Sequence, residues 1–276
     1  MRRPLPLAAL AALALLAAGW QPRSAAELAI GAGSHLGEDG HRERAAAILE
    51  SAGLTPEHLG CPPALPGHEP TRAAWLVEGR APERLAMNCS GKHAAMLAAC
   101  VAAGWPVEGY LDRDHPLQQA IEERLGEAGE EPVSAVVVDG CGAPQHALSP
   151  TALARGVLSL VQAEPGTPGR AVADAMRAEP WFVAGTGRDD TELMAAVPGL
   201  LVKGGADGVH VAAVPGAGAV ALKLDDGGDR GRMPALAAGL RRLGLPDDRL
   251  APWLQQPVSG GEGVVGAVRP AAFLTS

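Results

Sequence analysis

Asn88-Cys89-Ser90-Gly91-Lys92-His93 runs without a break into Ala94-Ala95-Met96-Leu97-Ala98-Ala99-Cys100, a junction that dictates a helix starting in polar chemistry and continuing into apolar core. The run from Ala94 is made of strong helix formers and stops at Gly104. A helix start gathers unpaired backbone N–H groups and positive potential, which lower a nearby thiol's pKa and attract anions. On such a helix Cys89 stands one turn from both Lys92 (i, i+3) and His93 (i, i+4), so either pair can converge on one centre. The plain alternative is that Asn88 or Ser90 caps the helix, Cys89 is a small core residue and Lys92 is solvated.

A second string carries the same kind of chemistry. Val136-Val137-Val138-Asp139-Gly140-Cys141-Gly142-Ala143-Pro144 is a short β-branched run that breaks into a Gly/Pro turn, the pattern of a buried strand opening into a loop. Loops at strand ends are where rigid scaffolds present reactive groups. Glycine on both sides of Cys141 allows close backbone approach, which a plain core cysteine does not require.

Size and charge remove several function classes. The chain has 276 residues, with Lys+Arg 23 against Asp+Glu 31 and a net charge of -8. That length can bury a substantial core, and with no repeat or linker in view it is expected to form one domain over 1–276. An acidic balance without a basic run argues against nucleic acid and against anionic membrane surfaces. Aromatic content of 3% leaves little for stacking bases or sugars, and hydrophobic content of 47% describes a packed globule. The four cysteines, Cys61, Cys89, Cys100 and Cys141, lack the spacing of a disulfide framework and form no Cys-x-x-Cys pair, so a metal site with mixed ligands stays open. Met1-Arg2-Arg3 before the apolar stretch Leu7 to Ala18 reads either as a secretory signal or as a core helix ending near Gly19.

Helices are expected over His41 to Gly53, over Asp114 to Leu125 with Asp114 as cap, over Ser149 to Gln162, and over Met233 to Leu243. Gly208 to Val214 and Ala219 to Leu224 read as two strands joined by a Gly/Pro turn, and Gly263 to Val268 as a last strand. Helices on an antiparallel sheet give an α+β fold.

Three further turns carry candidate groups. Gly33-Ser34-His35-Leu36-Gly37-Glu38 sets a hydroxyl beside an imidazole, although adjacent side chains rarely face one another and a capped turn is the alternative. Gly185-Thr186-Gly187-Arg188 presents an arginine able to clamp a carboxylate, or is a surface turn. Val202-Lys203-Gly204-Gly205 puts a lysine at the end of an apolar run, where burial would depress its pKa and make it a base or hydrogen-bond partner; an exposed strand-end lysine is the alternative. The glycines at Gly31–Gly33 and Gly216–Gly218 lack the context of a nucleotide loop.

Taken in order, these motifs, together with Lys203-Gly204-Gly205-Ala206-x-Gly208-Val209-His210, resemble the rhizobial-type L-asparaginase family, also called the asparaginase II family, from about Arg3 to about Pro270. The resemblance implies a fold like the serine β-lactamases, penicillin-binding proteins and serine glutaminases. It implies hydrolysis of L-asparagine to aspartate and ammonia through a serine acyl-enzyme, by a homodimer. It implies a zinc ion on Cys89, Lys92 and Cys141, a second active-site serine at Ser34 and a supporting lysine at Lys203. Ser90, His93, Asp139 and Arg188 are then expected to contact substrate. Lysine binds zinc only as the neutral amine, so such a site must depress its pKa.

One departure stands at the front. The family carries a Ser-x-x-Lys pair at its first long helix, where the lysine takes the serine proton and the serine attacks the amide. Here Arg3-Pro4-Leu5 occupies the place of the Lys-Pro-Leu/Phe step, which puts the serine just before Met1, and arginine cannot give up its proton. The family's upstream strands are missing as well. The expectation is a core helix in a cytoplasmic protein, with secretion as the alternative if residues 1–19 act as a signal, and a chain that hydrolyses asparagine feebly unless extended upstream. A non-catalytic zinc- or amino-acid-binding remnant and a broader β-lactamase-like acyl hydrolase are the competing readings.

Overall fold

The computed structural model describes residues 7–272. Helix α1 (Ala8–Ala17) is alanine and leucine throughout, and Leu10 and Leu15 are fully buried, so the apolar front segment is a core helix. Arg3-Pro4-Leu5 lies outside the described residues. Ser24 caps α2 (Ala25–Gly31), its Oγ accepting from Glu27 N at 3.3 Å. Next come α3 (Asp39–Ser51), the amphipathic run expected from His41, and α4 (Glu69–Val77). Helix α5 (Ser90–Ala103) is buried on every side from Ser90 to Cys100 and stops at Gly104 with φ 69°. Small side chains make that possible, because alanine and glycine let α2 and α3 pack directly on α5. Gly91 is the tightest point, where a Cβ would stand 2.5 Å from Ile30 Cγ1.

Helix α6 (Pro116–Gly129) departs from the sequence reading at both ends. His115 caps it rather than Asp114, its Nδ1 accepting from Leu117 N at 3.1 Å, and it passes Gly126 to end at Glu130 with φ 54°. Strands β1 (Ala135–Val138) and β2 (Pro144–Ala147) form an antiparallel hairpin. The valine run is not a buried strand: Val137 and Val138 are 43% and 77% exposed. β1 has a neighbour on one edge only, and the hairpin packs toward α6 through β2.

Helices α7 (Pro150–Gln162), α8 (Pro168–Ala178), α9 (Pro180–Ala184) and α10 (Asp189–Ala196) follow, the first three with proline in the first turn. They lead into a three-stranded antiparallel sheet of β3 (Leu201–Gly204), β4 (Val209–Val214) and β5 (Gly218–Lys223). Helices α7 and α11 (Arg232–Arg242) pack on it, and short α12 (Asp247–Leu250) packs on α11. The last strand does not join this sheet; β6 (Gln256–Gly260) and β7 (Gly263–Val268) pair as a separate hairpin. The class is α+β, with the described strands divided among three small antiparallel sheets. No helix among the described residues is long and apolar enough to cross a membrane.

Candidate active site

The start of α5, the β1–β2 turn, the end of β3 and the segments around Ser34 and Arg188 line one cavity of about 500 Å³. The turn between the two short strands is shaped by its own backbone. Asp139 N donates to Ala143 O and Gly142 N to Asp139 O, both at 2.9 Å, with Gly142 at φ 86°, a conformation that favours glycine. This carries Cys141 to Cys89, the residue that caps α5. One ligand atom from each of Cys89, Asp139 and Cys141 lies within 4.8 Å of the others. Lys92, in the first turn of α5, brings Nζ to 3.6 Å from Asp139 Oδ2. All four residues line the cavity.

The two thiols titrate as a pair. A hydrogen bond from Cys141 holds Cys89 down at about 6 against burial, with Lys92 helping. The same bond, with burial, pushes Cys141 up to about 12. The pair therefore releases its first proton readily and its second reluctantly. Burial disfavours the Lys92 ammonium, but Cys89, Cys141 and Asp139 together outweigh it and hold its pKa above the ordinary value. Two sulfurs, an amine and a carboxylate at this range form a donor set suited to a borderline-soft tetrahedral cation of zinc's type. Lys92 would have to shed its proton to join such an ion, and Asp139 is the carboxylate placed to take its position or to hold it.

Lys203 reaches the cavity from the end of β3 and is almost wholly buried. Its Nζ donates to Gly204 O. Burial lowers its pKa, with Asp190 opposing. Asp190 stands in the first turn of α10 and belongs to none of the motifs, yet it organises this corner. Its Oδ2 accepts from Gly204 N and its Oδ1 meets His210 Nε2, both at 2.7 Å. Burial raises the carboxyl, but His210, Lys203 and the Gly204 amide outweigh it and hold it well below the usual carboxylate range. An ionised carboxylate only accepts, so His210 donates to it from Nε2, while its Nδ1 is buried without a hydrogen-bond partner. The register explains the meeting, because Gly204 stands opposite His210 on β4.

Ser34 is stitched in place by backbone. Its N–H donates to Val183 O at 2.8 Å, and His35 N donates to Asn88 O at 2.9 Å, tying this segment to α9 and to the start of α5. Glu38 fixes the turn that carries Arg188. Its two carboxylate oxygens accept from Thr186 N at 2.9 Å and Thr186 Oγ1 at 2.7 Å. Arg188 itself is exposed on the cavity rim.

Two expected substrate contacts do not reach the cavity. Ser90 is fully buried, its Oγ donating to Leu85 O at 2.8 Å and meeting His35 Nε2 at 3.2 Å. His93 is fully buried with Nδ1 2.6 Å from the Tyr110 hydroxyl. Ser90, one residue past Cys89, turns to the His35 segment, and His93, four past it, lies behind the cavity wall where it interacts with Cys141, while Lys92 turns to the cleft. Sequence reasoning assigned no role to Asp190, His210, Glu38 or Arg232. Of these, Glu38 and His210 stand inside quoted motifs, whereas Asp190 and Arg232 lie in the first turns of α10 and α11, outside every motif.

Thiols, buried amines and a hydroxyl thus line one polar cleft of small-molecule size in an α+β chain. The chain belongs to the L-asparaginase II family, whose model matches residues 6–270. Membership supports an asparaginase-type hydrolase acting on a small substrate such as asparagine. No curated protein matches the chain.

Proposed function

We propose that this cavity hydrolyses L-asparagine to aspartate and ammonia through a serine ester. The observation that carries the reading is the convergence of Ser34, Lys203 and the Cys89–Lys92–Cys141 group on one cavity in a chain of this family. Ser34 is the single hydroxyl side chain on the cavity among the described residues, which makes it the candidate within them for the serine step. Its oxygen attacks the side-chain amide carbon, the C–N bond breaks, and nitrogen leaves as ammonia after taking a proton. Water then cleaves the ester and restores the serine. Lys203, desolvated and held by Gly204, is the amine that moves the serine proton.

Cys89, Lys92 and Cys141 would hold zinc, which when bound supplies a positive charge that orients the substrate's polar groups. Asp139 orients Lys92 and Cys141: its Oδ2 lies 3.6 Å from Lys92 Nζ and accepts from Cys141 Sγ at 3.4 Å. A β-lactamase-like architecture, a homodimer and a cytoplasmic location come with this reading and rest on the family likeness alone.

The test is ammonia release from L-asparagine. Slow release that Ser34→Ala abolishes and Lys203→Met reduces by about 10²-fold or more is the expected result. Retained release in Ser34→Ala would remove the serine step, and asparagine binding without any release would reduce the site to a binding pocket.

A further inference from the structure

Arg232, the first residue of α11, reaches the same cavity as the thiols and lysines, although it belongs to none of the motifs. It is 7% exposed. Its Nη1 donates to Gly205 O at 3.3 Å, two residues beyond Lys203, and lies 2.8 Å from Asp229 Oδ1. Its Nε is buried and has no hydrogen-bond partner. A guanidinium keeps its charge at any physiological pH and offers five donors, so burying it with one donor unmatched is costly unless something else arrives to pair with it. Asp229 is a weak counter-charge, because its side chain is 78% exposed and screened by water. The arrangement is a guanidinium braced on one edge by backbone, with its donor capacity incompletely used, on the wall of a polar cavity.

We propose that Arg232 binds the carboxylate of the substrate and so sets the preference for an amino-acid amide over a simple amide. This deepens the asparagine reading and rests on it. A planar monoanion matches the fork geometry of arginine. A phosphate fits worse, because Asp139, Asp190, Asp207 and Asp229 line the same cavity and would repel a multiply charged group. Those acids instead suit the ammonium that an amino acid carries beside its carboxylate. Arg188 is the competing residue. It is exposed on the rim, where an ion pair is worth little, whereas Arg232 is buried and held in one position.

The test pairs two amides with variants at both arginines. L-Asparagine and 3-aminopropanamide differ only by the carboxylate. Arg232→Gln is expected to raise the KM for asparagine, and the calorimetric Kd for L-aspartate, by roughly 10- to 100-fold, with kcat changed far less. The ratio of kcat/KM for asparagine to that for 3-aminopropanamide should fall by a similar factor in the variant, because only asparagine carries the group that Arg232 binds. Arg232→Lys, which keeps the charge and loses the fork, should recover part of the loss and guards against a fold defect. The assignment is overturned if Arg232→Gln binds aspartate as wild type does, if it loses equally on both amides, or if Arg188→Gln shows the carboxylate-specific loss instead. It is also overturned if the wild type binds no aspartate. A wild type that binds aspartate through Arg232 but releases no ammonia leaves this assignment standing and sinks the amidohydrolase reading.

Discussion

Asp190 shows how one side chain can govern a corner that its sequence neighbours do not announce. Its carboxylate joins the end of β3 to β4 through Gly204 N and His210 Nε2 and supplies the negative charge beside buried Lys203. Asp190→Asn keeps the shape but presents an amide. If its NH₂ faces His210, the ring must turn acceptor at Nε2 and put its proton on buried, unpartnered Nδ1; if it faces Gly204, two donors confront each other. Either outcome leaves a buried polar group unmatched, and a loss of about 1–3 kcal/mol in denaturant unfolding is expected. The pH dependence follows from the depressed carboxyl. A group whose folded pKa lies below its unfolded value of about 3.9 contributes stability that is complete above that value and lost as pH falls toward the folded one. Wild type should therefore lose stability more steeply than Asp190→Asn below about pH 4. Parallel acid limbs for the two proteins would show that the Asp190–His210 contact is not formed. Nothing in the string Arg188-Asp189-Asp190-Thr191 signals this role, because acids at a helix start are ordinarily dipole partners.

At the scale of elements, the contact between α2 and α5 sets the geometry of the cleft, since Ser34 follows one helix and Cys89 begins the other. Gly91→Ala puts a methyl 2.5 Å from Ile30 Cγ1 and 2.8 Å from Ile30 O, the second being backbone that cannot swing aside. An overpacking cost of about 1–3 kcal/mol is expected, read as a lower thermal midpoint, together with a loss of asparagine turnover that exceeds what the destabilisation explains. A variant as stable and as active as wild type would mean the helices separate at no cost. Periodicity and caps made α3, α5, α6, α7 and α11 legible, with Ser149 and Pro150 starting α7 and Gly104 stopping α5 where the sequence places them, whereas α2, α4, α8, α9, α10 and α12 went unread. The failures share a cause. Val136–Val138 has the composition of a buried strand, but burial depends on how many neighbours a strand finds, and β1 finds one. Gly263–Val268 was correctly a strand, yet its partner is the β6 segment Gln256–Gly260, which contains Pro257 and no strong alternation. The site was legible where glycine brackets a reactive residue, as at Cys141. That Ser90 and His93 stand behind the cavity lining rather than on it could not be read from the string, because helical phase relative to the core is set by packing that a local string does not contain.

Across the whole molecule, the cleft is assembled from pieces of very different security. Helix α5 is locked in the core, whereas the β1–β2 hairpin that carries Asp139 and Cys141 is two-stranded, with exposed valines on its outer strand. Isolated two-stranded hairpins are marginally stable, and this one meets α5's start through the thiol pair. An ion held by Cys89, Lys92 and Cys141 would cross-link the least secure element of the cleft to the most secure one. Binding to the folded state alone stabilises by mass action, and the gain should appear where the link acts. Zinc is therefore expected to co-purify at about one ion per chain and to be absent from a Cys89→Ser/Cys141→Ser variant. Chelation should speed amide exchange over residues 135–147 and in the first turn of α5, while Leu97–Cys100 in the middle of that helix keeps its protection. The double variant should exchange in the same places without chelator, and adding zinc back should restore protection in wild type only. Faster exchange spread evenly over the molecule would make the ion a global folding ligand, and no change at 135–147 would show that the thiol pair closes the cleft without it.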